Sequence, residues 1–400
     1  AAPHAPIEAR FLRLLRARAL VASPVDDWPT EDAADADLAD GPDADQLDKL
    51  FAACWISHES VLLGSKCGQL RRFDVRDAAG PSRASSPAAG AVDVGVPVSC
   101  PVATQPSVCA EEGGGIRSIR LSPNGQLLAL AGVQHNSECV GVMQTPSLES
   151  LDVSASLHQS WVFNVEWLSD SALLSCSRDG SLGLWDVRPD ADFRSRIVSA
   201  YHEPSAHPSR AAGRAAKVRD CSAFATFGAA CRDRVVTISP SAERNQGVKI
   251  WSVRDARVSC ELDVPDSYVR NEASPFHRGL GPCVSTHDSD PNLFCLSAGC
   301  SIVVLDRRVG GAHDKRPAIE MTTTDNDGSR SLSMSDHLLT SGGTSLLFFD
   351  PRSPKAPLHC TNPVRSTIFS HHWDSSRTAL VVAGGDIHVH FRRPCAAVLR

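Results

Sequence analysis

The stretch that decides the fold is Trp161–Arg188, which reads WVFNVEWLSDSALLSCSRDGSLGLWDVR. Alternating apolar residues in it predict three short strands, V-F-N-V-E-W, A-L-L-S-C-S and S-L-G-L-W-D. Turns are expected at Ser169-Asp170 and at Arg178-Asp179-Gly180, because Asp and Gly favour tight turn geometry. Three such strands ending in Trp-Asp are typical of one blade of a WD-repeat β-propeller.

The same plan recurs along the chain. Clear copies lie at Leu50–Arg76, Gly115–Leu151 and Lys217–Arg254, and weaker ones end at Ser301–Arg308, Ser345–Arg352 and within 365–391. Repeats of about 42 residues are typical of WD propellers, and seven of them account for roughly 290 residues. We therefore predict an all-β fold, a seven-bladed WD-repeat β-propeller over residues 47–393.

Four segments lie outside this repeat pattern. The run EARFLRLLRARAL (8–20) places Phe11, Leu12 and Leu15 near one face of a helix, so residues 1–25 are predicted to form an N-terminal helical arm. Residues 26–46 are acidic and poor in large apolar residues, which indicates a linker. Two insertions, near 78–112 and 234–247, are expected to act as spacers within the propeller.

The composition of the chain argues against several classes of function. The net charge of −6 does not favour nucleic acid, for which a basic domain is expected. No apolar run approaches the roughly 18 residues of a membrane span, and the arginines among residues 8–20 argue against a signal peptide. The 14 cysteines are scattered without any C-x-x-C pair, which favours a reducing intracellular compartment and argues against a zinc ribbon. We expect neither nucleic acid nor membrane as a partner.

No constellation in the sequence indicates catalysis. It contains no G-x-S-x-G elbow, no phosphate loop and no H-E-x-x-H. The adjacent residues His371 and His372 would point to opposite faces of a strand and could not bind one metal together. We therefore expect no catalytic residue, no metal and no cofactor, and a protein that acts by binding other proteins.

Basic residues recur in one register of the repeat. Aligning the first strands as G-I-R-S-I, W-V-F-N-V, K-V-R-D-C and G-S-R-S-L puts four residues at one position near the strand start, namely Arg117, Phe163, Arg219 and Arg330. Lys66 and Arg178 share a second position, in the turn after the second strand, and Lys217 lies two residues before Arg219. Equivalent positions of successive blades form a ring, so a local basic mouth is predicted. Such a mouth suits clustered carboxylates, which arginine can grip with two hydrogen bonds.

The chain resembles the WD-repeat substrate receptors of cullin-4 RING ubiquitin ligases. The resemblance rests on an ordered set of segments: LDKLFAACWISH (47–58), GSKCGQL (64–70), HQSWVFNVEWLSD (158–170), CSRDGSLGLW (176–185), KVR (217–219), SLLFFDPR (345–352) and DSSRTALVVAGG (374–385). The C-terminal residues and 234–247 have no counterpart in the family, so the strand that closes the ring is left open.

The resemblance implies a substrate-recognition subunit that binds acidic, Glu-Glu-type C-termini. The matching degron-binding positions are Lys66, Arg178, Lys217, Arg219 and Arg330. It also implies docking on the ligase adaptor through the N-terminal helix and through blade ends of the W-D-x-R type, such as Arg188. A cytoplasmic and nuclear location is expected. The alternative is a WD-repeat scaffold, or reader of acidic peptides, with no ligase attached.

Overall fold

The fold is described from a computed structural model of the whole chain. It describes the following residues: 22–24, 50–65, 68, 70–74, 98–99, 115–133, 140–151, 158, 161–177, 182–189, 195–203, 227–231, 234–238, 247–252, 257–263, 280–298, 301–308, 319–323, 329–364, 367–377, 379–385 and 395–399.

The described residues form seven four-stranded antiparallel sheets, here called blades 1 to 7. Blade 1 consists of β2 (Leu50–Ser57), β3 (Ser60–Ser65), β4 (Leu70–Asp74) and β5 (Val98–Ser99). Blade 2 consists of β6 (Gly115–Leu121), β7 (Leu127–Val133), β8 (Val140–Gln144) and β9 (Glu149–Leu151). Blade 3 consists of β10 (Val162–Trp167), β11 (Ala172–Ser177), β12 (Leu182–Pro189) and β13 (Ser195–Glu203).

Blades 4 to 6 follow the same order. Blade 4 consists of β14 (Phe227–Cys231), β15 (Arg234–Ile238), β16 (Gly247–Ser252) and β17 (Arg257–Asp263). Blade 5 consists of β18 (Leu280–Thr286), β19 (Leu293–Ala298), β20 (Ser301–Asp306) and β21 (Ile319–Thr322). Blade 6 consists of β22 (Ser331–Met334), β23 (Leu339–Gly342), β24 (Leu346–Phe349) and β25 (His359–Thr361). Blade 7 joins β26 (Thr367–Trp373), β27 (Leu380–Gly385) and β28 (Cys395–Leu399) to β1 (Ala22–Pro24).

The seven first strands form a closed ring. Each of β2, β6, β10, β14, β18, β22 and β26 contacts the first strand of the blade before it and of the blade after it, and β26 contacts β2. The predicted all-β propeller is therefore confirmed. We call the end of the ring where the first strands begin the entrance rim, and the end where they finish the opposite rim.

The hydrophobic core is divided among the seams between neighbouring blades. Each of seven buried clusters joins two successive blades. In β3, Val61 and Leu63 pack toward blade 7, whereas Leu62 between them packs toward blade 2. Successive side chains of a strand point to opposite faces of the sheet, and an inner strand has a neighbouring blade packed on each face. Its sequence is therefore a continuous apolar run.

The stretch that decides the fold has a buried polar network inside blade 3. The Trp185 indole N–H donates to Ser175 Oγ at 2.7 Å, and Ser175 Oγ also lies 2.6 Å from His158 Nε2. A Cβ on Gly183 would lie 2.5 Å from Ser175 Oγ, so the network requires glycine at this position. The Trp-Asp ending of the repeat therefore ties the third strand of the blade to the second.

The ends of the chain close the last blade together. Cys395–Leu399 forms the third strand of blade 7, and Ala22–Pro24 pairs with it antiparallel as the fourth, with Ala22 opposite Leu399. The prediction of a helical arm over 1–25 is thus wrong for residues 22–24, which are strand. The rest of the arm and the linker at 26–46 lie outside the described residues. This pairing identifies the closing strand that the sequence left open.

Both predicted insertions contain strand residues. Arg234–Ile238 pairs with Phe227–Cys231, and Gly247 begins the next strand, so the described residues of 234–247 are strand residues of blade 4. Val98–Ser99, inside 78–112, is the fourth strand of blade 1. Across the part of the chain described, no helix is long and apolar enough to span a membrane.

Candidate functional site

A β-bulge recurs at the same point of four first strands. The register against the second strand shifts around Phe51 in β2, Arg117 in β6, Phe163 in β10 and Phe369 in β26, each at the entrance rim. A bulge leaves one residue out of the pairing and redirects its side chain. In each of these four blades, the bulge therefore presents one side chain at the entrance rim of the central channel. We call this group of side chains the channel mouth.

Arg117 lies at this mouth against an aromatic ring. Its guanidinium carbon is 3.7 Å from the centroid of the Phe51 ring, within cation–π distance. The Nε atom is buried and has no hydrogen-bond acceptor among the described residues. Burial and the neighbouring charge of Arg330 lower the pKa of Arg117 to about 10, so it remains protonated at neutral pH.

Arg330 comes to the same place from blade 6. It precedes β22, and its backbone N–H donates to Gly342 O at 2.7 Å. The preceding residue, Ser329, is buried; its N–H donates to Ser297 Oγ of blade 5, and its hydroxyl lies 2.6 Å from that of Ser341. These bonds fix the backbone of Arg330 at the entrance rim.

The described mouth residues follow one arc of the ring. In blade order they are Arg330, Phe369, Phe51, Arg117 and Phe163. The Phe51 and Phe369 rings are in edge-to-face contact, with centroids 5.2 Å apart. Arg330 and Arg117 thus flank an aromatic pair, and the positive charge of Arg330 lowers the pKa of Arg117. This arrangement can attract an anion and exclude water from it.

Below the mouth, polar side chains pair across the seams. Arg120 Nε donates to Glu166 Oε1 of the next blade at 2.8 Å, and Ser118 Oγ donates to Asn164 Oδ1 at 2.9 Å. Burial opposes the charge of Arg120, but the Glu166 carboxylate outweighs it and raises the pKa of Arg120. Arg120 therefore already has a protein carboxylate as its partner.

Two buried histidines connect blade 7 to its neighbours. His371 lies 2.6 Å from Ser331 Oγ through Nδ1 and 3.0 Å from Ser333 Oγ through Nε2, and His372 Nδ1 accepts the N–H of Trp55. Burial, with a smaller contribution from Arg120, lowers the pKa of each to about 3. Both are neutral at physiological pH and act as structural groups.

The described residues offer no metal site, and the cysteines packed in the blade seams are buried. No group of three or more His, Cys, Asp or Glu side chains in this part of the chain could hold a metal ion. Cys54 and Cys295 are buried, and burial raises the pKa of their thiols to about 11 and about 12.

Comparison with known proteins identifies the family. The model of the DDB1- and CUL4-associated factor 12 β-propeller matches residues 43–359, well over half of the 400 residues.

The chain belongs to this family.

Solved structures show the same fold at low identity. The chain is similar to the structure of U3-55K (15% identity, TM-score 0.57) and to the RRP9 WD40 repeats (14%, 0.59), each match covering 88% of this chain and 95% of the other. It is also similar to the Doa1 WD40 propeller (11%, 0.56), covering 88% of this chain and 93% of the other. These similarities establish the WD40 β-propeller fold.

Curated relatives match over a shorter region. Telomerase protein component 1 of Rattus norvegicus is 38% identical over 92 residues, which is 22% of this chain and 3% of that protein. The Mus musculus protein is 37% identical over 95 residues, 21% of this chain and 4% of that protein. The chain therefore spans only a small part of these relatives.

Of the residues predicted to bind the degron, only some lie within the part of the chain that the structure describes. Arg330 is placed at the channel mouth as described above. Lys66, Arg178, Lys217 and Arg219 lie outside the described residues, although β3 ends at Ser65 and β11 at Ser177, directly before two of them. Phe11, Leu12 and Leu15 also lie outside. Arg188 lies in β12 opposite Arg196, and its side chain is not among those described.

The sequence alignment missed part of the mouth. Phe51 and Phe369 occupy the position of Arg117 and Phe163, but their segments, L-F-A-A and T-I-F-S, were not among the first strands aligned. The signal that identifies them is a large residue between a buried aliphatic residue and a small or polar one. Register predicts a place for Arg117 in the ring, and the structure places its guanidinium over the Phe51 ring, where the charge of Arg330 helps to lower its pKa.

Proposed function

We propose that the chain is the non-catalytic substrate-recognition subunit of a cullin-4 RING ubiquitin ligase. It binds proteins that end in acidic, Glu-Glu-type C-termini at the channel mouth, and other subunits transfer ubiquitin. The observation that carries the proposal is the convergence of Arg330 and Arg117 at the mouth of a propeller of this family. Lys66, Arg178, Lys217 and Arg219 are proposed to complete the basic surface.

Electrostatics favours such a ligand. A peptide ending in Glu-Glu carries three carboxylates at its tip, two from side chains and one from the chain end. A charge pair at 4 Å is worth about 4 kcal/mol at an effective dielectric constant near 20, before the cost of desolvation is subtracted. The aromatic pair between the arginines lowers the local exposure to water, which strengthens these interactions.

The opposite rim supports a separate docking surface for the adaptor. Two D-x-R ends of third strands lie there, and in each the arginine forms a forked ion pair with the aspartate two residues earlier: Arg308 with Asp306 and Arg352 with Asp350. Both arginines are more than half exposed. We propose that Arg188, Arg308, Arg352 and the N-terminal residues Phe11, Leu12 and Leu15 contact the cullin-4 adaptor.

The first test is binding of a labelled peptide ending in Glu-Glu, beside the same peptide amidated at its C-terminus. Arg330→Ala and Arg219→Ala are measured in parallel. We expect micromolar or tighter binding that is lost on amidation and weakened in both variants. A folded protein that does not bind the peptide would remove the degron-receptor function.

The second test separates a ligase subunit from a scaffold. Deletion of residues 1–20 retains Ala22–Pro24, which pairs with the third strand of the last blade, and removes Phe11, Leu12 and Leu15, the N-terminal part of the proposed docking surface. We expect the shortened protein to lose the adaptor in a pull-down and to keep the peptide. If the full chain binds the peptide but captures no adaptor, the scaffold alternative holds. The proposal includes a cytoplasmic and nuclear location, which imaging of a fluorescent fusion would test.

A further inference from the structure

The bulge at Arg117 is built into the seam between blades 1 and 2. Ile116, next to it, is buried between these blades, and a Cβ on Gly64 of β3 would lie 2.7 Å from Ile116 Cγ2. On the other side, Ser118 is held by Asn164 of blade 3. Both neighbours of Arg117 are therefore fixed, so its position over Phe51 is set by the fold.

The free protein gains little from a charge at this position. The Nε of Arg117 has no acceptor among the described residues, and the nearest identified charge is that of another arginine. A buried donor without a partner destabilises the folded protein, and more so when the group is charged. The cation–π contact with the face of the Phe51 ring offsets part of this destabilisation.

We propose that Arg117 is a specificity-determining residue of the channel mouth, which binds a carboxylate of the acidic peptide jointly with Arg330 above the Phe51–Phe369 pair. This inference rests on the proposed function and extends its set of ligand-binding residues. The position lies on a first strand at the axis of the ring.

Two substitutions separate charge from shape. Arg117→Met keeps an unbranched side chain that can pack on Phe51 and removes the charge, whereas Arg117→Lys keeps the charge without the planar fork. Lys355→Met is the matched control, because Lys355 is exposed in the loop between β24 and β25 at the opposite rim and its loss changes the net charge equally. Binding of the Glu-Glu peptide is measured for the four proteins.

We expect Arg117→Met to weaken peptide binding at least about tenfold, since hydrogen bonds to charged groups contribute roughly 1.5–3 kcal/mol. Arg117→Lys should lose less, and Lys355→Met should stay within about twofold of the original protein. Peptide binding that is unchanged in Arg117→Met would overturn the inference and leave the proposed function standing.

A second measurement does not depend on the peptide. If Arg117 lacks an anion in the free protein, inorganic phosphate or citrate at constant ionic strength should raise the unfolding temperature of the original protein more than that of Arg117→Met. In chloride alone, Arg117→Met should unfold at the same temperature or higher. A lower unfolding temperature in chloride together with no difference in the response to anions would make Arg117 a structural residue and overturn the inference, whether or not the peptide binds.

Discussion

At the channel mouth, Arg117 lies over Phe51 beside Arg330, and its Nε has no acceptor among the described residues. Three residues farther along the same strand, in the seam, Arg120 donates to Glu166 at 2.8 Å. The two arginines have the same chemistry and opposite surroundings. Arg120 completes its interactions within the ring and contributes to stability, whereas Arg117 has a buried Nε–H donor with no acceptor among the described residues. Substitutions in the two places should therefore change different quantities.

Acidification should weaken the seams and leave the mouth intact. The pKa values of His371 and His372 in the folded protein are about 3, below the ordinary value of 6.5. The unfolded chain therefore binds more protons, so stability is fully present above pH 6.5 and falls as the pH drops from 6.5 toward 3. We expect a loss of up to about 1.4 kcal/mol per pH unit for each histidine, measured by urea unfolding at a series of pH values.

His371→Gln and His58→Gln test the source of this acid sensitivity. His371→Gln should make the pH dependence shallower because one buried titrating group is gone. His58 is exposed, and its substitution should leave the slope unchanged. An identical slope in all three proteins would show that the seam histidines do not control acid stability.

Arg120→Met should have the next largest effect, and on stability. It removes the partner of Glu166, whose side chain is 23% exposed, and leaves a carboxylate in a seam without its arginine. Breaking a buried pair costs about 3–5 kcal/mol, and partial exposure places the expected loss near 2–3 kcal/mol. Urea unfolding at pH 7 measures it, beside Arg117→Met.

The double variant Arg120→Met with Glu166→Met should regain much of this loss, since no charge then remains in the seam. If Arg117→Met destabilises the protein as much as Arg120→Met does, the distinction between mouth and seam is lost.

The network in blade 3 should respond on a smaller scale. Trp185→Phe removes the indole N–H that donates to Ser175 and keeps an aromatic ring in the buried position. We expect a loss of about 1–2 kcal/mol in the free energy of unfolding, from one missing hydrogen bond and a reduced side chain. Binding of the Glu-Glu peptide should be unchanged, and a substantial loss of binding in the folded variant would mean that blade interior and mouth are coupled.

The sequence predicted what depends on local spacing. The strands of Trp161–Arg188 follow from the alternation of apolar residues along this stretch. Arg234–Ile238 was mistaken for an insertion because a short strand between two irregular segments gives a weak periodic signal.

For the channel mouth, the sequence predicts which positions of successive blades are equivalent, but not which side chains contact each other. That Arg117 contacts Phe51, and lies near Arg330 from four blades farther along the chain, follows from closure of the ring. Closure depends on Ala22–Pro24 pairing with Cys395–Leu399, a contact between the two ends of the sequence that no local pattern encodes. The fold was therefore easier to predict than the contacts of its site.

The opposite rim gives the smallest expected effect and the sharpest contrast with Arg117. Arg352→Met removes an arginine that is 60% exposed from its pair with the buried carboxylate of Asp350, and an ion pair that solvent reaches from one side contributes about 1 kcal/mol or less. The free energy of unfolding should fall by no more than about 1 kcal/mol, because Asp350 also accepts the N–H of residue 352, a bond that the substitution leaves in place. Peptide affinity should be unchanged, while capture of the cullin-4 adaptor should decrease if this rim is the docking surface. Loss of peptide binding in Arg352→Met would mean that charge acts on the ligand from either rim, in which case the arrangement of arginines at the mouth would not explain recognition.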